Sequence, residues 1–308
     1  MTHRSLTSAV AGFVGALSCA TSDTASAASY TATPNQYVDV NGVKLAYRSI
    51  GEAADKPPLV FFQHFTGTLD DWDSALIDEL SRSRRLIILG NPGVGASGGE
   101  APDSVAGMAS AAKGFLDALK LKDVDVLGFS IGGAVAQVLV AERPDLVRKL
   151  VLVGTGPQGG EGIKNLLAVI TEGFKTAGEK KIHPKVPLFF TTSEKGVAAG
   201  TEFVGRINHH TVDAEPVATE AATNAQAKAL ITWGSMPPNF DRLKAIKQPT
   251  LIVNGSNDLI VPTINSYVLY QHIPNARLSL YPDSGHGALF QYHTLFASEV
   301  NAFLDGTN

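Results

Sequence analysis

Val124-Asp125-Val126-Leu127-Gly128-Phe129-Ser130-Ile131-Gly132-Gly133-Ala134-Val135 carries an apolar stretch of strand length, a G-x-S-x-G turn and an apolar run suited to a helix. Glycines flanking the serine let the chain reverse sharply, so that the hydroxyl of Ser130 stands exposed at the carboxyl end of its strand. That context makes Ser130 a candidate nucleophile. A serine hydroxyl is weak at its free pKa, so the rest of the chain must supply a base, an acid and oxyanion donors.

Working outward, short apolar runs alternate with helical patterns. Leu59-Val60-Phe61-Phe62, Arg85 to Leu89, Val124 to Leu127, Val147 to Val153, Thr250 to Val253 and Arg277 to Tyr281 read as strands. Val105, Met108, Ala112, Phe115, Leu116 and Leu119 form one helical stripe that Asp103 or Ser104 can cap, and helices are also expected around Asn265 to His272 and over Leu295 to Leu304. Strands apolar throughout imply a mostly parallel sheet with helices on both faces. At its start, Tyr37 to Val40 and Val43 to Tyr47 join through Asn41-Gly42, a type I′ hairpin signal. The resulting division is a core of residues 28–158 and 241–308, an α/β fold interrupted at 159–240. That insertion lacks strand–helix alternation and reads as a mostly helical lid.

Asp258 follows the strand ending at Val253, and His286 follows the strand ending at Tyr281. Both therefore fall at the carboxyl edge of the sheet with Ser130, in the order Ser, Asp, His. Asp283 is the rival acid, but it lies close enough to His286 in sequence to be a loop-shaping residue. The backbone amide of Ile131, next after the nucleophile, is the first oxyanion donor. The second comes from Gln63-His64-Phe65-Thr66-Gly67-Thr68, after the strand ending at Phe62.

These loops, with Asn91-Pro92-Gly93-Val94-Gly95-Ala96-Ser97 and Ser284-Gly285-His286-Gly287, resemble the α/β-hydrolase fold superfamily. The resemblance covers nearly all of residues 37–305 outside the lid. It falls in the branch of small bacterial serine hydrolases grouped with cofactor-free haloperoxidases and enol-lactonases. It implies an enzyme that cleaves a carboxylic ester or lactone through an acyl-enzyme on Ser130, His286 and Asp258. A haloperoxidase or perhydrolase reaction, or C–C bond hydrolysis, on the same triad is the alternative. Relatives carry His-Gly in the oxyanion loop, and here Phe65 stands in the glycine position. That alignment nominates Thr66 as the second donor, with Phe65 the other candidate. Relatives also often carry Arg where this chain has Pro92. From the lid, Trp233 and Met236, with Phe240, are candidate substrate-binding residues, packing of the lid against the core being the equal alternative; Phe65 is a further candidate.

The 308 residues are 44% hydrophobic and 18% charged, with a formal net charge of −4, as suits a compact domain. No Lys/Arg block points to nucleic acid. No metal is expected, since adjacent histidines such as His209 and His210 read as surface residues. Two G-x-G-x-x-G matches, at Gly93 and Gly154, lack the helix and terminal acid of a dinucleotide site, so no cofactor is expected. The expected partner is a small-molecule ester or lactone, and oligomeric state is left open. His3 and Arg4, the apolar run Ala9 to Leu17, and Ala25-Ser26-Ala27 read as a cleavable signal peptide over residues 1–27, too short for a permanent anchor. The expected location is therefore the periplasm or the exterior, with the cytoplasm the alternative.

Overall fold

The computed structural model describes residues 1–2, 29–52, 55–207 and 209–306. All but Met1 and Thr2 of the expected signal peptide lie outside the described residues. The sheet comprises β1 (Gln36–Val40), β2 (Val43–Ile50), β3 (Leu59–Phe62), β4 (Leu86–Leu89), β5 (Val124–Phe129), β6 (Val147–Val153), β7 (Thr250–Gly255) and β8 (Ala276–Tyr281). These eight strands run in the order β1-β2-β4-β3-β5-β6-β7-β8. From β4 to β8 every pairing is parallel, whereas β1 and β2 are antiparallel additions at one edge. The strand pattern led us to expect this mostly parallel α/β sheet, and its architecture is the α/β-hydrolase fold that the resemblance implies. Asn41 and Gly42 take φ of 54° and 85°, the positive values a type I′ hairpin requires.

Helices cover both faces. α1 (Ser74–Ser81) precedes β4, and α2 (Val105–Ala118) precedes β5. Ser104, not Asp103, caps α2, accepting from the Gly107 amide at 3.1 Å. The helix buries Val105, Met108, Ala112, Phe115 and Leu116, the stripe legible in the sequence. α3 (Ile131–Glu142) follows the G-x-S-x-G turn and is buried from Ile131 to Val140. The stretch between β6 and β7 is helical: α4 (Leu166–Lys180), α5 (Lys185–Phe189), α6 (Glu194–Ile207) and α7 (Glu220–Ser235), followed by α8 (Phe240–Ala245), which packs against α3. α9 (Ile264–His272), α10 (Ala288–Gln291) and α11 (His293–Asp305) complete the chain. No helix among the described residues is long and apolar enough to cross a membrane.

The segment before β1 is tied into this body. Tyr30 is fully buried, and its hydroxyl donates to the Leu69 carbonyl at 2.7 Å. Its backbone amide donates to Asp78 at 2.6 Å, and the buried Arg48 guanidinium lies 5.4 Å from its ring centroid. His210 meets the same ring edge-on with centroids 5.3 Å apart, so the N-terminal segment and the lid share one anchor. Removing only the hydroxyl in Tyr30→Phe leaves the Leu69 carbonyl unpaired and should cost about 1 kcal/mol. Tyr30→Ala also empties the slot and should cost about 3–5 kcal/mol. Urea unfolding of the two variants checks this: equal losses would show that the aromatic body contributes nothing beyond its hydroxyl.

Candidate active site

Ser130 adopts φ 57° and ψ −121°, a conformation that a residue with a Cβ enters only under constraint. The constraint is visible on both sides. The Ser130 amide donates to the Val153 carbonyl at 2.9 Å, and its carbonyl accepts from the Gly133 amide at 2.9 Å. A Cβ on Gly128 would stand 2.5 Å from the Gly132 oxygen, and one on Gly132 would stand 2.3 Å from the Phe62 oxygen. Only glycine lets the start of α3 approach so close to β5 and to the chain leaving β3. Since β3, β5, β7 and β8 are parallel, the loops after all four converge on one edge.

At that edge the Asp258 carboxylate accepts from His286 Nδ1 at 2.8 Å through one oxygen. Its other oxygen accepts from the amides of Ile260 and Val261, each at 2.9 Å. Since the carboxylate accepts, Nδ1 carries the proton and the lone pair falls on Nε2. The imidazole is packed over Phe129, with centroids 4.9 Å apart, and against Phe189 at 5.5 Å. It sits so near β6 that a Cβ on Gly154 would lie 3.2 Å from His286 Cε1. Asp283 points elsewhere: its two oxygens accept from Thr191 and Ser193, both at 2.8 Å, and fasten the loop to the lid.

The oxyanion loop corrects the expectation for Thr66. Its amide donates to Gln226 Oε1 on α7 at 2.7 Å, so it is engaged and not turned to a substrate oxygen. The amides of Phe65 and Ile131 have no hydrogen-bond partner among the described residues. Gln63 braces the turn from within: its Oε1 accepts from the His64 amide at 3.0 Å, and its Nε2 donates to the Thr68 carbonyl. The sequence offered no sign of Gln226, because its relevance depends on where α7 crosses the loop. Where relatives often have Arg, the Pro92 loop is anchored instead by Ser97, whose hydroxyl donates to the Gly90 carbonyl at 3.1 Å and accepts from the Ala46 amide at 3.0 Å.

Ser130, His286 and Phe65 open into one cavity of about 760 Å³. Its apolar wall is Leu166, Leu167, Ile170 and Phe174 of α4 with Leu188 and Phe189 of α5. The helical spacing of those α4 residues was readable in the sequence, but what the stripe faces was not. Trp233 and Met236 are absent from the lining. Trp233 is buried beneath the lid, its indole donating to the Gly156 carbonyl at 3.3 Å, and Met236 is exposed beyond the end of α7. Thr223, near the start of α7, lines the cavity instead. His210 is also corrected: although next to exposed His209, its side chain is buried, with Nδ1 accepting from Arg48 at 3.0 Å. Among the described residues no cluster of His, Cys, Asp and Glu could hold a metal ion.

A family profile for the alpha/beta hydrolase fold matches residues 57–185 and 199–291. The chain belongs to the alpha/beta hydrolase fold family. An alpha/beta hydrolase fold protein from Chitinophaga pinensis superposes with a TM-score of 0.86 at 40% identity, covering 91% of this chain and 100% of that one. A non-heme haloperoxidase of Rhodococcus erythropolis is 30% identical over 86% of this chain and 95% of its own length. A pimeloyl-[acyl-carrier protein] methyl ester esterase of Nitrosomonas europaea is 28% identical over 80% of this chain and 95% of its own length.

Around the oxyanion loop of this alpha/beta hydrolase the charges are strongly perturbed. Burial, helped by the Lys185 ammonium, pushes His64 down to about 3, so its imidazole is neutral, with Nδ1 donating to the Phe65 carbonyl at 2.9 Å. Burial works to raise Asp71, but its ion pair with Lys185 and a hydrogen bond from the Thr68 amide outweigh it and hold the carboxyl at about 2. Between pH 6.5 and about 3 an unfolded His64 binds a proton that the folded one refuses. Stability should therefore fall as pH drops through that window and be insensitive to His64 above it. Unfolding free energies from urea titrations at pH 7.5, 5.5 and 4.5 should decline less steeply in His64→Gln than in the wild type, by up to about 1.4 kcal/mol per pH unit. An unchanged acid slope in the variant would remove His64 as a source.

Proposed function

We propose that this protein is a serine hydrolase that cleaves a carboxylic ester or lactone with an apolar acyl group. The observation that carries the reading is the meeting of the strained Ser130 turn and the Asp258–His286 hydrogen bond at one mostly apolar cavity. His286 Nε2 takes the hydroxyl proton as Ser130 attacks the carbonyl, and Asp258 stabilises the imidazolium that forms. The free amides of Ile131 and Phe65 receive the oxyanion. Collapse of the tetrahedral intermediate expels the alcohol, which takes its proton from His286. Water, activated by the same imidazole, then releases the acid.

The lining favours a neutral substrate. Among its described residues Lys185 is the permanent cation, and its charge is committed to Asp71, so a carboxylated substrate finds no unpaired partner. The apolar wall of α4 and α5 suits an extended acyl chain, and the cavity volume lies within the range of small-molecule sites. The haloperoxidase relative supports a second reading, in which hydrogen peroxide replaces water on the acyl-enzyme and leaves as a peracid. Bromination that depends on both acetate and peroxide would favour it. For location we propose export. The Ala25-Ser26-Ala27 motif supports this, since a cut after Ala27 keeps every described element from Tyr30 onward.

On p-nitrophenyl esters, kcat/KM should rise by about fourfold for each methylene buried as the acyl chain lengthens from acetate. Ser130→Ala and Asp258→Asn should each lower kcat by roughly 10³-fold or more. Undiminished turnover by Ser130→Ala would take the serine out of the mechanism.

A further inference from the structure

Gln226 takes no part in the chemistry above, yet its setting is unusual for a lid side chain. It is fully buried on α7, its Oε1 holds the Thr66 amide at 2.7 Å, and its Nε2 has no partner. An orphaned buried donor costs about 1–3 kcal/mol, so packing alone would favour an apolar residue there. The partner is equally constrained. Thr66 is β-branched yet sits at φ 57°, where such residues are genuine outliers. The other bonds at the turn come from within the loop: Thr66 Oγ1 and His64 Nδ1 donate to the Phe65 carbonyl at 2.7 and 2.9 Å, the Gly67 amide donates to the His64 carbonyl at 3.1 Å, and Gln63 braces it from beneath through the His64 amide and the Thr68 carbonyl.

We infer that Gln226 is a positioning residue: its side-chain oxygen holds the Thr66 amide, keeps the loop in its left-handed turn and leaves the Phe65 amide as the donor facing the substrate carbonyl. This rests on the reading of Phe65 as the second oxyanion donor. Consecutive amides of one loop then have separate tasks, one tied to the lid and one open to the substrate. The lid helix α7 thereby sets the geometry of the oxyanion hole without touching the reacting atoms. Freed of Gln226, Thr66 can relax toward negative φ and carry the adjoining Phe65–Thr66 peptide with it.

The test uses the full chain with Gln226→Met, which keeps length and volume but lacks the acceptor, and Gln226→Glu, which restores an oxygen at that place. On p-nitrophenyl butyrate, Gln226→Met should lower kcat about tenfold or more with KM nearly unchanged, a fraction of the loss when a whole oxyanion donor is removed. Gln226→Glu should recover most of that loss. By exchange mass spectrometry the amides of residues 63–72 should exchange faster in Gln226→Met than in the wild type. An unchanged kcat in Gln226→Met overturns the proposal. A raised kcat overturns it too, because Gln226 would then be obstructing the hole, and a Gln226→Glu as slow as Gln226→Met reduces the effect to packing. If the wild type turns over no ester, the proposed function fails by itself, and unchanged exchange in Gln226→Met overturns the tether separately.

Discussion

The site depends on a close approach of backbone to backbone. At Gly132 the start of α3 lies so near the carbonyl of Phe62 that no side chain fits between them. This contact brings the Ser130 turn against the chain that leaves β3 for the His64–Gly67 loop, and β5 and β6 hold the turn through the Ser130–Val153 hydrogen bond. A non-glycine residue at φ 57° is held at a cost of about 1–3 kcal/mol. The parallel sheet absorbs that cost, since Leu59 to Phe62 and Val124 to Phe129 are buried along their whole length. Strain at Ser130 is thus maintained by rigid elements, and the hydroxyl is presented without help from the lid.

The side of the site that we assign to the oxyanion is built differently, because the lid and the loop after β3 are fastened together. Lys185 pairs with Asp71, and Arg206 makes two bonds of 2.7 and 2.8 Å to Asp73, itself the buried cap of α1. The Glu215 amide donates to Asp70 at 2.7 Å, and Gln226 holds Thr66. Arg48, fully buried on β2, meets Asp70 at 2.7 Å and His210 at 3.0 Å and ties this cluster to the sheet. Buried pairs of this kind add little net stability, but breaking one leaves an uncompensated charge, so they specify where the lid sits. The lid therefore does more than wall the cavity, since its position is written into the backbone of the loop beneath it.

Much of this was legible in the chain itself. The G-x-S-x-G turn, the strands that place Asp258 and His286 at one edge, and the Asn41-Gly42 hairpin are local signals, set by glycine's freedom, strand periodicity and turn chemistry. The fold class follows from them because each element's pattern agrees with its neighbours. The preference for Asp258 over Asp283 was also readable, as loop position separates them. Local signals failed where a role depends on contacts across the lid. Trp233 and Met236 have the composition of pocket residues, yet α7 turns one beneath the lid and leaves the other in solvent. His210 reads as exposed beside His209, yet Arg48 and Tyr30 enclose it.

What the sequence by itself determined is the fold class, the serine at the elbow and the order and placement of the acid and base that could serve it. These follow from short-range stereochemistry repeated along a parallel sheet. Tertiary structure alone decided which amide of the His64–Gly67 turn is free. Thr66 and Phe65 are neighbours with equivalent backbone donors, and the likeness to relatives nominates Thr66, the amide that is engaged here. The difference comes from Gln226, distant in the chain and brought over the loop by the packing of α7, whose carbonyl oxygen accepts from one amide and leaves the other open.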